Sequence, residues 1–184
     1  MSYQSNFNSA LTYMKLGQKE LAIESLKRAM SQIPDKEKTK DNAAYLEMLA
    51  LIAKFNFEKK DGNEAIKNIE EGLKIKENHA DLLFLKALYL LDNKMFDEML
   101  AVLINYLLTL TSADKDIYDY EFTGQNALDE VFGNLIPLSY KNSPQYKSIN
   151  DIVKKMADAS QNEYIKRAYN VMNEIDEKRV KQDE

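Results

Sequence analysis

Apolar residues recur three and four positions apart along most of this chain. Ala22, Leu26 and Ala29 follow that spacing, as do Ala65, Ile69 and Leu73, and then Phe96, Leu100 and Leu103. This is the period of helices that bury one face, and it predicts an all-helical chain. Near the C-terminus Tyr146, Ile149, Ile152, Val153 and Met156 share one helical face, and Tyr164, Ala168, Val171, Met172 and Ile175 share another. Ser143-Pro144 reads as a helix start, with a hydroxyl N-cap ahead of Pro. Ser160 and Glu163 read as a capping box.

Two segments break the amphipathic rule. Leu82 to Leu91 has a single charged residue, Lys86, and Met99 to Leu108 is nearly all apolar. A helix apolar all round must be covered all round. The chain's own C-terminal helices are the first candidate for that cover, and a homodimer is a further expectation.

Polar stretches separate the helices. The segment DKEKTKDN at 35–42 has no apolar side chain and reads as a solvated connection. ADKDIYDYEFTG at 113–124 reads as an acidic loop containing Asp114, Asp116, Asp119 and Glu121. A calcium loop needs Asp or Asn at the fifth place and Gly at the sixth, where Tyr118 and Asp119 stand. A helix is predicted from about Gln125 to Asn134, with an irregular stretch through Pro137 and a frayed end in DEKRVKQDE.

The segment YMKLGQKELAIESLKRAMSQIP carries Tyr13, Leu16, Gly17, Ala22, Leu26, Ala29 and Pro34. This resembles the tetratricopeptide repeat, a helical hairpin of 34 residues. Gly17 suits the left-handed end of the first helix, and Pro34 cannot continue the second. The template fits twice more. In the second repeat Leu49, Ile52, Ala53, Ala65, Ile66, Ile69 and Leu73 take packing positions, Gly72 replaces a small residue, and the turn glycine, Gly62, falls two places late. In the third, Leu83, Ala87, Leu90, Phe96, Leu100 and Leu103 match, Met99 and Tyr106 replace small residues, and Lys94 stands where Gly is usual. The first two repeats are offset by 43 residues and the last two by 34.

The resemblance implies an all-α, tetratricopeptide-like solenoid of antiparallel hairpins over 1–112, with C-terminal capping helices in 113–184. It implies a non-catalytic scaffold that binds an apolar helix or peptide in a groove lined by the first helix of each hairpin. The groove positions are Phe7, Leu11 and Met14, then Leu51, Lys54 and Phe57, then Phe84, Leu85, Leu88 and Leu91. Family members that clamp chaperone tails need Lys, Asn and Arg where this chain has Phe7, Leu11, Leu51, Asp81 and Leu85, so that function is not expected. The stretch HADLLFLKALYLLDNKMFDEML, with the Tyr-rich loop and Gly124 after it, is similar to repeat modules fused to bacterial family 2 glycosyltransferases, which would make the chain an accessory module. A secretion-type chaperone is the other alternative.

Composition narrows the chemistry. The net charge of −5 disfavours a general nucleic-acid binder. With no Cys there is neither a disulfide framework nor a thiolate metal site. The N-terminus lacks the basic and apolar regions of a signal peptide, and the apolar runs are about half a membrane span, so a cytoplasmic protein is expected. Phosphate loops, paired metal-binding histidines and nucleophile elbows are missing. The single His79 has no His or Cys to share a metal with and is read as structural or exposed. No enzyme activity, cofactor or metal is expected.

Overall fold

The computed structural model describes residues 2–112 and 117–181, and among them it contains helices and no strand. Asp114 and Asp116 of the acidic loop, and 182–184 of the tail, lie outside the described residues. Two compact units result, each with its own core: 2–77 with 117–119, and 78–112 with 120–181.

The first unit holds two antiparallel hairpins. Helix α1 (Tyr3–Lys15) pairs with α2 (Lys19–Ser31), and α3 (Ala43–Glu58) pairs with α4 (Gly62–Ile75). The helix starts are capped by Ser2, Asn42 and Asp61, whose side-chain oxygens accept backbone N–H bonds at the N3 position. Ala22, Ala29, Ala53 and Ala65 are fully buried, because at these positions the paired backbones come close. Ala22→Leu therefore overpacks the contact, with an expected loss of about 1–3 kcal/mol. An unchanged thermal midpoint would show that α1 and α2 do not meet there.

The connection at 35–42 is ordered. A short 3-10 turn, Asp35–Glu37, opens it. The Tyr3 hydroxyl donates to the Glu37 carboxylate at 2.8 Å, and the Asn42 amide donates to the Glu37 carbonyl at 3.0 Å. The Tyr118 hydroxyl donates to the Lys40 carbonyl. A segment with nothing apolar to bury is thus held by main-chain carbonyls and tyrosine hydroxyls.

The second unit begins with the third hairpin, α5 (Ala80–Asp92) and α6 (Phe96–Leu110). His79 caps α5: its Nδ1 accepts the Leu82 N–H at 3.4 Å, and the ring is buried. Helices α7 (Gln125–Glu130) and α8 (Ile136–Asn142) are joined by one π turn, Val131–Leu135. The irregular stretch expected through Pro137 is therefore helical. Pro137 lacks an N–H and crowds the carbonyl four residues back, and the wider turn just before it relieves that clash. Helices α9 (Tyr146–Ala159) and α10 (Glu163–Val180) complete the unit, and α10 stays helical well into the segment expected to fray.

Two expected caps move. Ser143 does not cap α9. Its hydroxyl donates to Asp97, which also accepts the Gln145 N–H at 3.3 Å, so this bend is fastened to the start of α6. The N-cap of α10 is Asn162, whose Oδ1 accepts from Tyr164 and Ile165, while Ser160 Oγ accepts the Asn162 N–H one turn earlier. Asn162 takes the role because it stands directly before the first helical residue.

The three hairpin turns end in the same way. Gly17, Lys60 and Lys94 all have positive φ, at 71°, 61° and 57°. In each, the following N–H reaches back to a carbonyl five residues earlier: Gln18 to Tyr13, Asp61 to Asn56 and Met95 to Leu90, at 2.8–2.9 Å. The left-handed position of the second repeat is thus Lys60, and Gly62 is simply the first residue of α4. An L-residue with a Cβ is strained there. Lys60→Gly and Lys94→Gly should each stabilise by about 1 kcal/mol and raise the thermal midpoint by about 2–4 °C. A lowered midpoint would show that the lysine side chains contribute more than the strain costs.

Candidate protein-binding faces

In the first unit the proposed groove residues divide by depth. Phe7 of α1 and Leu51 of α3 are buried and belong to the core. Leu11 and Met14 of α1 and Lys54 and Phe57 of α3 are half-buried, so their side chains are partly open to solvent. At the end of α3, Lys19 pairs with the Glu58 carboxylate and stands 5.7 Å from the Phe55 ring centre.

The second unit treats its candidates differently. Phe84 and Leu85 of α5 are buried, while Leu88 and Leu91 are half-buried. Phe84 is covered by the chain itself: its ring stacks on Phe122 with centres 4.6 Å apart and planes 10° from parallel. The backbone of that covering segment is held at both its N–H and C=O groups. The Glu121 N–H donates to one oxygen of Asp81 at 2.9 Å and the Phe122 N–H to the other at 2.8 Å. The Tyr106 hydroxyl donates to the Phe122 carbonyl at 2.6 Å. Tyr120 meets His79 edge-on, with ring centres 5.0 Å apart. Asp81 is only 6% exposed. A carboxylate that deep is tolerable because both oxygens are taken by amides and because it lies in the first turn of α5, where the helix dipole favours negative charge.

The covering contacts depend on Asp81, which from sequence alone is only a departure from the chaperone-clamp pattern. A carboxylate opening an apolar run, with an aromatic-rich loop about 40 residues on, is the signal that was present. Burial, and next the nearby Asp81 charge, push the Tyr106 hydroxyl well above the usual tyrosine range, so it stays a donor.

Further polar contacts tie α8, α9 and α10 together. Tyr140 donates to Asp176 at 2.6 Å, Asn150 donates to the same oxygen at 2.8 Å, and Arg179 caps the end of α8 at the carbonyls of Tyr140 and Lys141. Among the described residues no three His, Asp or Glu side chains cluster as metal ligands. No helix among them is long and apolar enough to cross a membrane.

The sequence model of the tetratricopeptide repeat matches residues 3–36, which covers α1, the Gly17 turn, α2 and the start of the connection. The first hairpin is a tetratricopeptide repeat. The two later hairpins end their first helices with the same left-handed turn, and the fold is all-α and tetratricopeptide-like. No curated protein matches the chain.

Proposed function

We propose that the chain is a non-catalytic, cytoplasmic interaction scaffold that takes an apolar helix or peptide on the first-helix face of hairpins one and two. The supporting observation is that Leu11 and Met14, in the hairpin that matches the tetratricopeptide repeat, and Phe57 of the next hairpin are apolar and only half-buried. Full burial of a large apolar side chain is worth about 1.5–3 kcal/mol. Association itself costs on the order of 4–15 kcal/mol. Completing the burial of three half-buried residues gives roughly 2–5 kcal/mol, which reaches only the low end of that cost, so a partner must also engage Lys54 and the rest of the face.

The test is affinity capture with the wild type beside a Leu11→Lys, Phe57→Glu double variant, with melting curves for both. The variant should fold and lose the partner that the wild type retains. Binding should persist at high salt, since screening acts mainly on exposed charges. A folded variant that keeps the same partner overturns this reading. A captured exported protein would favour the secretion-chaperone alternative, and a reading frame beside a glycosyltransferase the accessory-module one.

A further inference from the structure

The geometry points to a second recognition site, on α5 and α6, that binds a peptide turn by its backbone plus aromatic side chains and is occupied at rest by the chain's own residues 120–122. It uses none of Leu11, Met14, Lys54 or Phe57, so it stands or falls separately from the face proposed above.

The argument starts from what the site reads. Asp81 offers one carboxylate to two consecutive amides, those of Glu121 and Phe122. Tyr106 offers a hydroxyl to the carbonyl of the same residue whose N–H is bound, Phe122. These three bonds are to main-chain atoms, so any unstructured segment able to turn and place two adjacent N–H groups and a carbonyl there can make them. Two side chains of the occupant are read, the ring of Phe122 that lies flat on Phe84 and the ring of Tyr120 that meets His79 edge-on. The ligand class is therefore an unstructured segment with aromatic residues.

The occupant is built to be exchangeable. Residues 117–124 are neither helix nor strand, so lifting 120–122 breaks no secondary structure. Phe122 itself remains half-buried and Glu121 exposed, although the receiving side chains Asp81, Phe84 and Tyr106 are buried. An empty site would leave a buried carboxylate with two amide partners missing, which is costly. Something must fill it, and the tethered segment does so with an effective concentration on the order of millimolar. A partner carrying the same features competes against that tether, which makes residues 120–122 an internal competitor.

The probe is a labelled, end-blocked peptide of residues 119–124, Asp-Tyr-Glu-Phe-Thr-Gly, with the full chain in each case. Phe122→Pro removes both the ring and one of the two amides. Fluorescence anisotropy should show the peptide binding Phe122→Pro at least tenfold more tightly than wild type. Adding Asp81→Asn should weaken that binding at least tenfold, and a peptide with Phe replaced by Ala should not bind. Failure of Phe122→Pro to bind, or equal binding by the double variant, overturns the proposal. If Phe122→Pro does not fold, as judged by circular dichroism, the wild type decides: excess peptide at millimolar concentration should shift the Glu121 and Phe122 amide resonances together, and unmoved resonances overturn the proposal.

Discussion

Asp81→Ala should lower stability by about 2–4 kcal/mol, a large effect for one side chain near the end of a helix. Two amide bonds to a buried charge are lost, each worth about 1.5–3 kcal/mol in such a setting. Part of that loss is recovered because Glu121 is exposed and its N–H can turn to water. The ring stack of Phe122 on Phe84 loosens with the backbone, which exposes apolar area on α5. Asp81→Asn keeps one acceptor and should cost about half as much. Urea unfolding followed by circular dichroism measures both. A midpoint unchanged in Asp81→Ala would mean that residues 120–122 sit on α5 without help from the carboxylate.

The second large effect is alkaline unfolding that begins near pH 10. Tyr45, Tyr106 and Tyr140 are each at most 1% exposed. Burial is the main cause that raises each hydroxyl well above its ordinary value of 10.0. The next cause is the Glu71 hydrogen bond for Tyr45, the Asp81 charge for Tyr106 and the Asp176 hydrogen bond for Tyr140. A phenol with a raised folded-state pKa contributes stability that is complete below pH 10 and is lost as pH rises toward the folded value, because only the unfolded chain releases the proton. Each such group contributes a slope of about 1.4 kcal/mol per pH unit, so the three together cost roughly 4 kcal/mol at pH 11. Phenolate absorbance should therefore rise together with the loss of helix signal, and Tyr106→Phe should reduce the slope by about a third. Phenolate that forms while the helices persist would show that these hydroxyls are reached by solvent in the folded state.

The sequence by itself determined most of the helices, their pairing into hairpins and the frame of the first repeat, but not the helical run through Pro137 or the Lys60 turn. The features it did determine are local: small residues at Ala22 and Ala29, a left-handed turn at Gly17 and a stop at Pro34 each act within a few positions of themselves. The same turn recurs at Lys60 and Lys94, where packing on both sides of the turn holds a lysine in a conformation its own preference opposes. The apolar excess of the third hairpin was equally legible, because a helix with no polar face announces that it will be covered.

What covers it was decided only by the tertiary structure. Asp81 meets its amide partners across 40 and 41 residues, and Ser143 meets Asp97 across 46. A spacing pattern records which residues share a helix face, but it does not say which distant backbone will arrive there. For the same reason Phe84, a groove residue by repeat position, lies beneath Phe122, while Leu11, Met14 and Phe57 stayed half-open. Repeat position sets the direction in which a side chain points. Whether that direction leads to solvent depends on where a loop with no regular structure finds a buried carboxylate to bind.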